Sequence, residues 1–406
     1  VAVDIPIGLE SLFWIVLAAA IAPLIVGLLP GPKVPEVVVL LLLGILIGPE
    51  ILGLATKEGP IHLLNDVGLG FLFFIAGYEL NPRVLKGRVG VQAVLAWTVS
   101  IALALSVVGV LYQVGYVEAF LPVAIALTST ALGTLLPILR DAGLIDTRLG
   151  RLVLANGAVG EFGPVLAISL FLGSRGAWAS VVILAVFAAI AVAIDRLPRA
   201  LFTHRIRAIF ERGSETTSQT TLRWTVLLLV GLLLIAAEFG LDAILGAFAA
   251  GLILRQLTPA GDQALEHKLD GLAFGLFVPL FFITSGVEVD VSSIIENPSH
   301  LAVFFLLLAV VRGLPVLIIF SRDFHGSELI QLSLYTATGL PIIVAVTQIG
   351  LATEHMHPEN AAALVGAGVI SVLVFPLTAE LIGRRAGHRE SASERSQLSG
   401  PPGDAS

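Results

Sequence analysis

The chain is built from continuous apolar runs, each about as long as a lipid bilayer is thick. Crossing the hydrocarbon as a helix takes about 20 residues. Backbone groups there must satisfy their own hydrogen bonds, so only helices or closed barrels can span. The runs are unbroken and not alternating, which excludes a barrel. They predict thirteen spans over residues 9–29, 35–54, 63–80, 89–112, 119–139, 151–172, 178–194, 222–239, 243–257, 269–287, 301–320, 328–351 and 361–382. The expected fold is therefore an all-α polytopic membrane protein. Only 13% of the 406 residues are charged and 56% are hydrophobic, against roughly 25% charged in soluble domains. No cysteine is present, so disulfides, thiolate metal sites, iron–sulfur clusters and cysteine nucleophiles are excluded.

Sidedness follows from the basic residues. With thirteen spans, 20 of the 23 Lys and Arg fall on the side that holds the C-terminus, among them Arg83, Lys86, Arg88, Arg140, Arg148 and the cluster from Arg196 to Arg223. Only Lys57 and Arg175 fall opposite. Positive residues stay cytoplasmic, so the C-terminus is expected inside and the N-terminus outside. The basic, polar stretch Asp195 to Arg223 reads as a cytoplasmic linker between two halves. Its arginines suit anionic headgroups and not nucleic acid.

The remaining basic residue, Arg312, sits midway along the eleventh span, and Glu161 sits midway along the sixth. Both lie about 15 Å from either helix end. A charge at that depth costs about 2.5 to 3.5 kcal/mol on insertion scales, so such residues line a pathway or pair with one another. Two spans are also interrupted at the same depth. The fifth carries TSTALG, Thr128 to Gly133, and the twelfth carries Thr338, Gly339 and Pro341. Proline removes a donor and clashes with the preceding turn, and hydroxyls compete for backbone bonds. Paired interruptions in two halves point to a transporter site formed by inverted repeats.

In order and spacing, five strings resemble the monovalent cation:proton antiporter-2 family, which includes Kef-type potassium efflux systems and thirteen-helix sodium/proton antiporters. They are GILIGPEILGL at 44–54, FLFFIAGYEL at 71–80, LTSTALGTLLPIL at 127–139, GEFGPVL at 160–166 and GLFVPLFFITSGVEVD at 275–290. The resemblance covers residues 10–382. It implies a homodimer in the bacterial inner membrane, a dimerisation subdomain interleaved with a mobile core over residues 1–382, and two crossed discontinuous helices, the fifth and twelfth spans. Residues 383–406 read as a disordered cytoplasmic tail. The resemblance further implies that Glu161 binds cation or proton, with Thr128, Ser129, Thr130 and Thr338 as oxygen donors and Arg312 as counter-charge. Gly133, Gly339 and Pro341 are the expected helix breakers. The transported species would be Na+ or K+ and H+, with no cofactor, no resident metal and no enzymatic activity.

The chain departs from this family at one point. Relatives carry two polar residues where this chain has Gly160-Glu161. Asn156 is rotated about 140° from Glu161 around the helix, so it cannot simply stand in; Asn156 and Gly160 are expected in the surroundings of the site. One carboxylate then suggests one proton per cation and electroneutral exchange. A pH-uncoupled cation channel and a sodium-coupled organic-anion symporter stay open as alternatives. The cluster Glu354, His355, His357 and Glu359 reads as a solvated loop, and the small pair Gly44 and Gly48 as close helix packing or dimerisation.

Overall fold

The computed structural model describes residues 7–28, 34–79, 87–171, 219–238, 243–257, 263–324 and 326–398. The described residues are helical, without strands. In chain order the first helices are α1 (Ile7–Leu28), α2 (Glu36–Ile47), α3 (Pro60–Glu79), α4 (Gly87–Gln113), α5 (Phe120–Ala126), α6 (Leu132–Asp141) and α7 (Arg148–Phe171). Then come α8 (Thr220–Glu238), α9 (Ala243–Leu257), and α10 (Gln263–Leu272), which runs through a π-helical turn at Ala273–Phe277 into α11 (Val278–Val287). The short α12 (Val291–Glu296) follows. The α13 helix (Pro298–Leu308) passes through a second π-helical turn at Ala309–Gly313 into α14 (Leu314–Ile319). The last three are α15 (Ser327–Ala337), α16 (Pro341–Ala352) and α17 (Pro358–Leu398).

Among the described residues, eight helical stretches are long and apolar enough to cross a membrane, and three shorter apolar helices accompany them. Twelve of the expected spans coincide with described helices, the fifth as the pair α5 and α6. The seventh, 178–194, and the linker up to residue 218 lie outside the described residues. The second span is helical only as far as Ile47. Gly48 ends it in extended backbone and leads into a turn through Gly53, which has φ of 62°. The α17 helix continues past residue 382 to Leu398, so residues 383–398 prolong the last span's helix.

Packing sorts the helices into two groups. In one, α1, α2, α3 and α8 to α11 surround the α3–α9 and α2–α11 contacts. In the other, α4 to α7 pack with α13 to α17. Gly44 belongs to the α2–α11 contact: a Cβ there would run into the backbone carbonyl of Ile283, so the small pair serves packing within the chain. Phe71, Phe73 and Phe74 are likewise core residues.

Burial ranks the helices. In the most apolar stretch of α15–α16, 83% of residues are buried, and in that of α7, 78%; α1 and α4 reach only 22%. An isolated apolar helix gains nothing by leaving lipid, so deep burial needs close packing and satisfied polar groups. The two innermost elements are also the ones that carry the interruption at Thr338 and the acid Glu161.

Candidate functional site

The site is organised by missing backbone donors. Pro164 lies within α7 and has no N–H to give the carbonyl of Gly160 one turn earlier. That freed oxygen accepts the backbone N–H of Thr130 at 3.0 Å. Thr130 belongs to the interruption between α5 and α6, which runs over residues 127–131. Its neighbour Ala131 donates its N–H to Thr338 O at 2.8 Å, inside the other interruption. Thr130 Oγ1 donates to Thr336 O at 2.7 Å. Three chain segments are thereby joined at the depth where a membrane offers no water.

The second interruption spans residues 338–340, between α15 and α16. Pro341 opens α16 at its first turn, where the absent N–H costs nothing. Gly339 presses against the first interruption: a Cβ there would lie 2.9 Å from Ser129 Oγ. Ser371, on α17, donates from Oγ to Gly339 O at 2.9 Å and accepts from Gly339 N at 3.2 Å. Gly133 lies inside α6 and not in the break, which ends at Ala131.

Arg312 is fully buried and sits in the π-helical turn between α13 and α14. Pro315 is at the start of α14; it withholds a backbone donor from Val311, and such bulges are frequent at functional sites. Arg312 Nε donates to Thr130 Oγ1 at 3.0 Å and Nη2 to Asn156 O at 2.8 Å. Among the described residues its Nη1 has no hydrogen-bond partner. The expected opposition of Arg312 to Glu161 is not a direct pair: among the described residues, the guanidinium is held by neutral oxygens and makes no ion pair. The reason is helical phase, since Gly160 and Asn156 present the face of α7 that meets Arg312. Glu161, one residue on from Gly160, points elsewhere.

Glu161 is partly exposed, and its carboxylate has no hydrogen bond or ion pair among the described residues. The charge that bears on it is that of Glu79, at the C-terminal end of α3. Phe162 stacks on Phe248 of α9 with ring centroids 5.4 Å apart, and α9 packs tightly on α3, which brings the two acids into range. In the sequence Glu79 had one signal, an acid closing an otherwise apolar run.

The predicted oxygen donors divide into two sets. Thr130 and Thr338 are joined to the network, with the Thr338 hydroxyl turned back onto Leu334 O at 3.1 Å. The Thr128 hydroxyl caps its own helix on Ile125 O at 2.8 Å. Ser129 Oγ, Asn156 Oδ1 and Thr336 Oγ1 are buried without partners among the described residues. Such atoms are rare in folded chains and call for water or an ion. In the loop after α16, His357 pairs with Glu118 at 2.7 Å.

Known proteins align with this architecture. The family model described as "Sodium/hydrogen exchanger, transmembrane" matches residues 16–384. The putative Na(+)/H(+) antiporter YjbQ of Bacillus subtilis (strain 168) is 23% identical over 364 residues, 85% of this chain and 58% of that one. The Na(+)/H(+) antiporter NhaS4 of Synechocystis is 29% identical over 303 residues, covering 68% of this chain and 72% of that protein. The glutathione-regulated potassium-efflux system protein KefC of Klebsiella pneumoniae is 27% identical over 307 residues, 73% and 48% of the two chains. The chain thus spans little more than half of the Bacillus relative and about half of KefC. The solved sodium proton antiporter MjNhaP1 of Methanocaldococcus jannaschii shares the fold, with a TM-score of 0.63 over 93% of this chain and 98% of that one at 18% identity. Matched along nearly its whole length by that family model, the chain is a member of the transmembrane sodium/hydrogen exchanger family of cation/proton antiporters.

Proposed function

We propose that this protein exchanges Na+ or K+ for protons by alternating access, with Glu161 binding the two cargoes in turn. One observation carries the reading. Glu161 is the carboxylate at the middle of a deeply buried helix, partly exposed, and unengaged by any described side chain. A carboxylate at that depth is expensive when charged and empty. It is neutral when protonated and compensated when it holds a cation, so the loaded forms are the ones that cross. Hard oxygens suit alkali ions, and the unpartnered oxygens of Ser129 and Thr336 lie at the interruptions beside α7. Arg312 supplies a fixed positive charge, because arginine stays protonated in proteins. With one carboxylate in α7 and no polar side chain at 160, exchange is one proton per cation and electroneutral.

The two interruptions act as crossed discontinuous helices, their touching backbones supplying paired helix ends. The α4 to α7 and α13 to α17 group moves against the other group, which provides the surface of a homodimer in a bacterial inner membrane. Charge asymmetry sets the N-terminus outside and the C-terminus in the cytoplasm. Relatives named as potassium-efflux proteins keep K+ alongside Na+ as cargo.

The test is proton flux in proteoliposomes under sodium, potassium or lithium gradients, with and without an imposed voltage. Glu161→Gln should abolish cation-driven proton movement, and voltage should leave the wild-type rate unchanged. Undiminished flux in that variant would overturn the assignment, and voltage-dependent flux would overturn electroneutrality.

A further inference from the structure

Away from the transport site, a groove of about 360 Å³ opens between α4 and α14. It combines charge and apolar surface in a fixed order of depth. At its mouth stand Arg88, at the start of α4, and Arg322, just after α14, both exposed. Leu95 lies seven residues beyond Arg88 on α4, about 10 Å deeper, and Ile318 lies within α14, four residues before Arg322. These two side chains are 51% and 62% exposed, so the lower groove wall is continuous with the surface that meets lipid.

The charge at the mouth is unbalanced. Asp323 accepts from Gln92 Nε2 at 2.7 Å, from Arg148 Nη2 at 3.3 Å and from Arg88 Nη2 at 3.4 Å. One carboxylate thus serves two arginines, while Arg322 makes no ion pair among the described residues. The groove therefore presents net positive charge over an apolar wall, at the end of the helices assigned to the cytoplasm. Basic pockets between spans on that side fit lipid headgroups.

We propose that this groove binds one anionic phospholipid, its phosphate held by Arg88 and Arg322 and an acyl chain lying along Leu95 and Ile318. Three elements of one helix group meet at Asp323: α4, the start of α7 through Arg148, and the α14–α15 connection. Arg148 also lies over the Phe324 ring, 4.7 Å from its centroid. A bound lipid therefore braces the helices that carry Glu161 and Arg312 without touching either residue. Only the cytoplasmic placement rests on the reading of sidedness above; the binding is measured independently of transport.

The full chain in detergent is titrated with phosphatidylglycerol, and the thermal unfolding midpoint is followed against lipid concentration. Phosphatidylglycerol should raise the midpoint saturably, and phosphatidylcholine should not. Replacing Arg88→Gln or Arg322→Gln should weaken the apparent affinity about fivefold each. Arg385→Gln, an exposed cytoplasmic arginine on α17, should leave it unchanged. Equal weakening by Arg385→Gln would mean general surface charge and would overturn the site. An equal rise with inorganic phosphate would assign the arginines to free anions, and undiminished affinity in the Arg88→Gln/Arg322→Gln double variant would refute the groove outright.

Discussion

Arg312 occupies the space in which a side chain at position 160 would stand. A Cβ on Gly160 would run into Arg312 Nη2 and into Thr130 Oγ1, the atom that accepts from Arg312 Nε. Position 160 has room only for a glycine while the guanidinium lies against its bare backbone. The two residues form one unit: the glycine makes room for the arginine, and the arginine gives the site its charge.

Gly160→Ala should consequently destabilise the protein by about 1 to 3 kcal/mol, the usual range for overpacking a filled site, and reduce exchange. Arg312→Ala alone should also destabilise, by leaving a void and stranding Thr130 and Asn156. Combined, the two should cost less than their sum, because removing the guanidinium relieves its part of the clash and leaves only the contact with Thr130. Thermal unfolding of the four proteins in detergent checks this, and strict additivity would mean that the side chains do not share that space.

Much of the fold was legible in the sequence because lipid imposes a single length on every span. Helices followed the apolar runs, and the interruptions fell at the hydroxyl run Thr128 to Thr130 and at Thr338, beside Gly339 and Pro341. What could not be read was rotation about the helix axes. Arg312 and Glu161 share a depth, and depth alone suggested a pair. Yet the π-helical turn at Ala309–Gly313 shifts the phase of Arg312, and Gly160 meets it in place of Glu161. Pro164 left a clear signal of a different kind, a missing donor, but its consequence, the Gly160 carbonyl reaching Thr130, needed the fold. Ser371 was a single polar residue in an apolar run, and Gln348 followed one hydroxyl, Thr347, in another; such patterns are too common to assign.

Gln348, on α16, links the two helix groups. Its Nε2 donates to Ser285 Oγ at 2.6 Å, and its Oε1 accepts from Asn65 Nδ2 at 3.2 Å. Asn65 is buried and also accepts from Thr284 Oγ1 at 2.7 Å. These bonds join the half-helix beyond the second interruption to α3 and α11, so movement of one group against the other must break them. Gln348→Ala should favour the state in which they are broken. Because the chain has no cysteine, a single Val344→Cys reports access directly. A membrane-impermeant thiol reagent should label it faster when Gln348→Ala is added; an unchanged rate would mean that these bonds do not hold the groups together.

Asp290 caps the short helix α12 from outside the spans. Its carboxylate accepts from Ser293 Oγ at 2.5 Å and from Ser293 N at 2.9 Å, and the side-chain bond, then the backbone one, holds its pKa below the ordinary aspartate value of 3.8. A depressed carboxylate contributes stability above its unfolded pKa and loses it as pH falls through the folded one. Asp290→Ala should cost about 1 kcal/mol near neutral pH, as lost N-caps do. The difference from wild type should begin to shrink as pH falls toward 3.8 and vanish below the folded value. Unfolding midpoints of both proteins across that range test the sign; a gap that widens on acidification would contradict it.

Arg312→Lys separates charge from geometry. Lysine keeps the positive charge but has one nitrogen where arginine has three in a rigid fork. In this site Nε and Nη2 reach different segments, Thr130 in the first interruption and Asn156 in α7. One ammonium group cannot reproduce both bonds from the same backbone position, so the link between the interruption and the helix bearing Glu161 is lost while the field survives. Exchange should therefore fall by about tenfold or more, which corresponds to losing roughly one charged hydrogen bond of 1.5 to 3 kcal/mol. Proteoliposome flux measured alongside thermal unfolding distinguishes the cases. Near-wild-type exchange in Arg312→Lys would show that a point charge suffices and that the fork merely fills space.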